Sequence, residues 1–355
     1  MSIGRKYQLG WWPQNGALDA FDAKISLPIM TLDLGEAAEW AIAIPGTWFG
    51  MPPMAWGPLP LLVAGFAALH DPKVSSEMLW RWFGFICAPF TLGLLAFFVY
   101  YVRRGNAKII YIITKYILIP FSVGMPLVAT YGLGERSGHI VSLTLCSWIL
   151  TEAVCHILKI TARRMRPVVC LTDKIKDVPR ALSCIQHVVT AGETAFESFP
   201  SGDAAGAIVF SVILAHLGAG PASWLCVLLS AFGRVFLHAH HIIDVTVGSL
   251  IGYFCTNYLI GVYGFQEGLG PIHTAISMIT FIAFHTFCRK YFTFNIPAEF
   301  RTGKSLYGAK LKPTAAEIAA DGATPSISGG TSSAYFPEEK FARENAHAKS
   351  KDKTN

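Results

Sequence analysis

Charge is what this sequence has least of. Only 15% of its residues are Asp, Glu, Lys or Arg, against about 25% in an ordinary soluble domain. The deficit is concentrated in long uncharged runs, some near the roughly 20 residues that cross a bilayer at about 1.5 Å each. That excludes a water-soluble fold and points to an integral membrane protein. Also missing is any CxxC pair or Cys/His zinc spacing among the eight cysteines, so they read as packing residues in apolar runs and not as metal ligands. No extended basic and aromatic stripe accompanies the net charge of +6. Nucleic acid is therefore not an expected partner, and the basic clusters suit membrane flanks and anionic headgroups. Residues 1–33 lack an apolar core of the secretory kind, so no signal peptide is read there.

What is present divides the chain into four parts. Residues 1–82 are polar, then interfacial. The stretch from Ala41 to Leu69 carries no charge, but Pro45, Pro52, Pro53, Pro58 and Pro60 interrupt it, which favours an interfacial or re-entrant segment over a clean span. Residues 83–262 form the core, with five spanning runs and a shorter sixth: Phe83 to Val102, Ile109 to Tyr131, His139 to Leu158, Ala204 to Leu217 (the short one), Ala222 to Leu237 and Ile242 to Val262. Residues 263–304 add a seventh apolar run, Ile272 to Cys288, with a basic flank, and residues 305–355 read as a disordered polar tail. The predicted fold is an all-α integral membrane protein with a six-helix transmembrane core and a possible seventh apolar helix.

One loop, Lys159 to Gly202, is long and basic, carrying Arg163, Arg164, Arg166, Lys174, Lys176 and Arg180. Three charged patches border it or return to its side of the membrane. In KITARRMRP, Lys159 and Arg166 are two helical turns apart and so share a helix face, with Arg163 between them and Pro167 ending the helix. On its own this is a cluster snorkelling to headgroups. In SFPSGDAAGA, Ser201 is placed as the N-cap of the fourth span and Gly202 lets backbone approach closely, so free N–H groups and the dipole favour a phosphate. The bland alternative is an ordinary cap with a first-turn acid, Asp203. In GRVFLHAHHIID, His240 and Asp244 form an i, i+4 pair in which a carboxylate can hold one imidazole nitrogen and leave the other as nucleophile or base. Arg234 stands six residues before His240. Ionisable groups at membrane depth are functional by default, and the alternation of spans brings all three patches to one face.

These residues resemble the type 2 phosphatidic acid phosphatase (PAP2) superfamily, which includes lipid phosphate phosphatases. Its pattern is Lys-x6-Arg-Pro, then Pro-Ser-Gly-His, then Ser-Arg-x5-His-x3-Asp. This chain has Lys159 with Arg166 and Pro167, then Pro200, Ser201, Gly202 and Asp203, then Gly233, Arg234, His240 and Asp244. The resemblance covers about residues 83–262. It implies that Lys159, Arg166 and Arg234 clamp phosphoryl oxygens and that Ser201 and the Gly202 N–H complete the cradle. His240 would attack phosphorus to form a phosphohistidine, and Asp244 would orient it. Cations then stand in for a metal, so neither metal nor cofactor is implied, and the substrate is a lipid phosphate monoester or diphosphate among membrane lipids. Two positions depart from the pattern. Gly233 replaces Ser, and Asp203 replaces the His that would protonate the leaving oxygen. Asp203 is the candidate acid in its place, with His238, His241 and His187 as substitutes. A chain without such an acid would be a non-catalytic lipid-phosphate binder, and capture of the intermediate by an alcohol would make it a phosphotransferase.

The family carries its site on the luminal or outer face. The segment RRGNAK, residues 103–108, puts positive charge on the site face instead, while KDKTN at residues 351–355 resembles a dilysine retrieval signal of the endoplasmic reticulum, read from the cytosol. If Ile272 to Cys288 does not span, tail and site lie on opposite faces and the site is luminal, the favoured arrangement, in which Cys170 and Cys184 could pair. If it spans, tail and site share a face. Substrate identity and oligomeric state are left open by the sequence.

Overall fold

Uncharged apolar runs closed by glycine, proline or polar caps fold here as helices. The computed structural model describes residues 10–292 apart from 14–15, 51–54, 56, 105–118, 176, 179 and 181–194, and among the described residues there is no strand. In chain order the helices are α1 (Ala17–Met30), α2 (Glu36–Trp48), α3 (Pro58–Leu69), α4 (Ser76–Arg81), α5 (Ala88–Arg104), α6 (Ile119–Leu133), α7 (Glu135–Ala162), α8 (Pro167–Cys170), α9 (Thr172–Ile175), α10 (Gly202–His216), α11 (Leu225–Phe236), α12 (Ile242–Tyr263) and α13 (Pro271–Tyr291). A π-helical turn, Trp82–Cys87, joins α4 to α5, and a 3-10 turn, Gly220–Trp224, leads into α11. The polar tail, Cys184, His187 and most of the RRGNAK segment lie outside the described residues.

Among the described residues, four helical stretches are long and apolar enough to cross a membrane: Ser76–Ala96, Glu135–Ile175, Ile242–Tyr263 and Pro271–Tyr291. Helices Pro58–Leu69 and Gly202–His216, and the stretch Gly220–Phe236, are apolar but shorter. The chain is an all-α membrane protein. Its outer helices show apolar side chains to the surroundings, as lipid-facing helices must. Leu225, Leu228 and Leu229 of α11, Leu250, Phe254 and Tyr258 of α12, and Ile272, Ile276 and Ile279 of α13 are all exposed. Small residues face inward. A Cβ on Gly248 would stand 2.2 Å from Ser201 O and one on Gly252 2.3 Å from Ala205 O, so this pair at GxxxG spacing lets α12 lie directly on the backbone of α10.

The described part of the proline-interrupted region includes the helices α2 and α3. α2 contains Pro45, and α3 starts on Pro58, where a missing N–H costs nothing. α2 crosses α11 at a glycine pair, since a Cβ on Gly233 would meet Gly46 Cα at 2.6 Å. Arg180, from the long loop, locks this N-terminal region down. Its guanidinium donates to Met30 O, Leu32 O and Phe236 O, and stacks over the Phe236 ring at 3.7 Å.

α13 runs from one end of the bundle to the other. Near its start, Leu269 O lies 2.8 Å from His139 Nδ1 in the first turns of α7. At its close, Arg289 pairs with Glu197 at 3.0 Å, and Phe292 O accepts from Arg163 at 2.6 Å, beside the last turn of α7. The seventh run is a continuous helix of 21 residues, about 30 Å long, that delivers the chain to the end where α7 closes.

Candidate active site

Ser201 caps α10. Its Oγ accepts from Ala204 N at 3.4 Å, and its own N–H donates to Asp244 O at 3.0 Å, which ties the Pro-Ser-Gly turn to α12. Gly202 opens the helix, and its bare Cα makes room for two side chains of α7. A Cβ there would stand 2.9 Å from both carboxylate oxygens of Glu152 and 3.2 Å from Lys159 Nζ. Lys159 thus reaches the N-terminus of α10, where unpaired N–H groups and the dipole already favour an anion.

Arg166 arrives by a route that helical periodicity does not give. The sequence places it two turns along the helix from Lys159, but α7 ends at Ala162 with Arg163 as a left-handed C-cap, φ 53°, and Arg166 is the N-cap of α8. Leaving the helix lets Arg164 turn into a buried cluster. It pairs with Asp19 at 2.8 Å, Asp22 at 2.8 Å and Asp244 at 2.5 Å, and its guanidinium lies 4.3 Å from the Trp12 ring. Two residues on, Arg166 is buried, donates to Ala239 O at 2.8 Å, and stands 3.1 Å from His240 Nε2.

His240 is held from both sides. Its Nδ1 lies 2.6 Å from Ser198 O. A carbonyl only accepts and a guanidinium only donates, so the proton is on Nδ1 and the lone pair is on Nε2, facing Arg166. Burial, and then Arg166, hold His240 well below the ordinary histidine range, so the ring rests neutral. The expected helical pairing with Asp244 is not how the two meet. α12 begins at Ile242, capped by His241, whose N–H donates to Asp244 Oδ2 at 2.9 Å, so His240 precedes the helix. Asp244 Oδ2 is 3.8 Å from His240 Nδ1, beyond hydrogen-bond length. Ser198 links them, its hydroxyl donating to Asp244 at 2.5 Å and its carbonyl accepting from His240.

The remaining candidates divide. Arg234 is buried, and its Nε stands 2.9 Å from Asp203 Oδ2. His238 turns away from the cradle to Met30 O at 2.7 Å, and burial pushes it down to about 4. His241 lies beside Cys170 Sγ at 3.7 Å and is lowered by burial and Arg164. Burial would push Glu197 up, but Arg289, Lys159 and Arg166 outweigh it and hold this carboxylate below its usual range. Among the described residues, no three His, Cys, Asp or Glu side chains are grouped to hold a metal ion.

So Lys159, Arg166, Ser201, Gly202, Arg234, His240 and Asp244 converge at one end of the bundle in the order the motifs run. The family model of the PAP2 superfamily matches residues 140–267, the segment that contains all seven. Residues 140–267 belong to the PAP2 superfamily. Membership implies phosphatase-type activity on phosphate esters. No curated protein and no solved structure matches the chain.

Both departures from the PAP2 pattern touch one segment outside the matched region. Gly233 faces Gly46. A Cβ on Gly50 would stand 2.5 Å from both Cα and Oδ1 of Asp203, so the turn after α2 fills the space beside that short side chain. Sequence reasoning missed this segment along with Asp19, Asp22, Ser198 and Glu152. Ser198 adjoins a recognised motif and was within reach. The two N-terminal acids had no local signal, because their partner lies some 145 residues away.

Proposed function

We propose that this chain hydrolyses a lipid phosphate monoester or diphosphate through a phosphohistidine on His240. The observation that carries the reading is the pair of contacts on that ring, Nδ1 to Ser198 O and Nε2 to Arg166. Together they leave a buried, neutral nitrogen lone pair beside a cationic cradle. A phosphoryl group seated on the α10 N-terminus would have its oxygens met by Lys159, Arg166, Arg234 and backbone N–H groups. Such preorganised positive charge is what a transferring phosphoryl group needs, in place of a metal ion. Nε2 attacks phosphorus as the ester bond breaks, and water then cleaves the P–N bond. Asp244 acts through Ser198 as a positioning residue.

The fold supports a lipid as substrate. An apolar cleft of about 430 Å³ opens between α7, α12 and α13, lined by Ile149, Ala153, Leu259, Ile276, Phe281 and Phe284. Ala153 adjoins Glu152, so an acyl chain in the cleft would end near the cradle. We read the protein as multi-pass, with the site and the chain beyond α13 on one membrane face. The Asp203–Arg234 ion pair favours a second reading, a lipid-phosphate binder without turnover, since it sets an anion against one of the three cations.

Phosphate release from short-chain phosphatidate, a sphingoid phosphate and an isoprenyl diphosphate, without added metal, separates the readings. Turnover by the wild type and its loss in His240→Ala is the expected result. Equal release by both proteins would remove His240 from the chemistry, and no release by the wild type would leave the binder, or a transferase revealed by adding acceptor alcohols.

A further inference from the structure

Hydrolysis of an alkyl phosphate leaves an alkoxide that must be protonated as the bond breaks, and a proton donor within reach accelerates that step by roughly 10²- to 10⁴-fold. Of the residues that sequence offers for this task, His187 lies outside the described residues and the other three are engaged elsewhere. Asp203 is ion-paired with Arg234. That contact uses it as an anion, and an anion has no proton to give. His238 is bonded to Met30 O in the N-terminal region, and His241 faces Cys170 while capping α12.

Glu197, near Lys159 and Arg166, is paired with Arg289 and held as a carboxylate, but another carboxyl group borders the cradle. Glu152 lies on α7, two turns before Lys159. Both its oxygens stand 2.9 Å from the point a Cβ on Gly202 would occupy, so it is packed against the first residue of the anion-binding helix end. Its Oε1 is buried and hydrogen-bonded to nothing. Buried polar atoms without a partner are rare and call for an explanation. A carboxyl oxygen at the rim of an anion site, unpaired until a ligand arrives, is explained by a ligand oxygen. Glu152 belongs to the Lys159 and Gly202 side of the cradle, whereas the nucleophilic nitrogen of His240 belongs to the Arg166 side.

We propose that Glu152 is the general acid of this site, doing from α7 what the residue at position 203 cannot. The proposal rests on the hydrolytic reading above. As His240 Nε2 bonds to phosphorus and the ester P–O bond breaks, the Glu152 carboxyl proton passes to the departing alkoxide, which leaves as the alcohol. In the second step the Glu152 carboxylate takes a proton from water as the water oxygen attacks phosphorus. The P–N bond breaks, its electron pair returns to Nε2, and inorganic phosphate leaves with Glu152 protonated again.

The test compares short-chain phosphatidate with its analogue in which sulfur replaces the ester oxygen to be cleaved, because a thiolate leaves without a proton. The full-length protein in detergent is used as wild type, Glu152→Gln, Glu152→Asp and His240→Ala. Read as single-turnover release of the alcohol or thiol, the step that precedes attack by water, Glu152→Gln should lose about 10²- to 10⁴-fold on the oxygen ester and stay within a few fold of wild type on the sulfur ester, with Glu152→Asp recovering part of the oxygen-ester rate. Equal losses on both esters would make Glu152 a structural or phosphate-binding residue, and no loss on either would remove it from the reaction. Each of those results overturns the proposal while His240→Ala, inactive on both esters, keeps hydrolysis standing. A wild type inactive on both would overturn hydrolysis, and Glu152 as its acid would fall with it.

Discussion

Asp203 Oδ2 lies 2.9 Å from Arg234 Nε, so the chain sets its own anion against one of the cations of its phosphate cradle. A phosphate entering the site must share Arg234 with this carboxylate. Asp203→Asn removes the competing charge and should tighten inhibition by orthovanadate by about threefold to tenfold, the equivalent of about 0.7 to 1.4 kcal/mol. It should lower KM for the substrate and change kcat little. The check is a full kcat and KM comparison. A kcat that drops by orders of magnitude at unchanged KM would return Asp203 to the proton-transfer role that its position in the motif suggests.

Gly233 is the second departure, and the structure supplies its reason. No side chain fits between α11 and α2, because a Cβ on Gly233 would come within 2.6 Å of Gly46 Cα and 3.0 Å of Ile42 O, both backbone atoms that cannot step aside. Restoring the family residue with Gly233→Ser should therefore destabilise the protein, by about 1 to 3 kcal/mol for an overpacked contact. The melting temperature in detergent would show it. A variant as stable as wild type would mean that α2 does not pack this tightly on α11.

How much of this was legible in the sequence depends on the range over which each signal acts. The helices were readable because hydropathy is local, and the cap at Ser201 because the cap and the N–H it accepts from are three residues apart. His240 and Asp244 were found as a pair for the wrong reason. Their spacing matched a helix, but capping by His241 starts α12 too late to include His240, and Ser198 makes the connection instead. Lys159 and Arg166 were likewise joined by a periodicity that stops at Ala162. Arg164, read as one member of a basic cluster, is a buried hub for three carboxylates, a role set by contacts across the fold. Glu152 carried no motif, and only the gap at Gly202 shows where its carboxylate goes.

Acid should unfold this protein through its buried histidines. His238 sits at φ 59°, bonded to Met30 O, and burial holds it at about 4. Below its ordinary value of about 6.5, the unfolded chain binds a proton at this position that the folded chain refuses. Folded stability therefore falls as pH drops from about 6.5 toward about 4, and this contribution is silent at higher pH. Asn tolerates the left-handed backbone, but its amide stops short of the Nε2 position and the bond to Met30 O is lost. His238→Asn should therefore melt lower than the wild type at alkaline pH and lose less of its melting temperature in acid. Identical acid losses in both proteins would assign the effect to other groups, His240 and His241 first among them, since burial lowers both.

The course of α13 makes a statement about sidedness. Its first turn lies beside His139 at the start of α7, and its last residues lie beside Glu197 and Arg163 where α7 ends. At 21 residues, about 30 Å of helix, it matches the apolar thickness of a bilayer. The chain beyond Phe292 should thus emerge on the face that carries His240, and not across the membrane from it. A protease-cleavable tag inserted after residue 292 tests this in sealed vesicles of mixed orientation, sorted by whether the tag is protected. Vesicles that protect the tag should show phosphatase activity toward a membrane-impermeant phosphate ester only after detergent is added, and vesicles that expose it should show activity at once. The opposite pattern would mean that α13 lies along the membrane surface when embedded, leaving six crossings and the site on the far face from the tail.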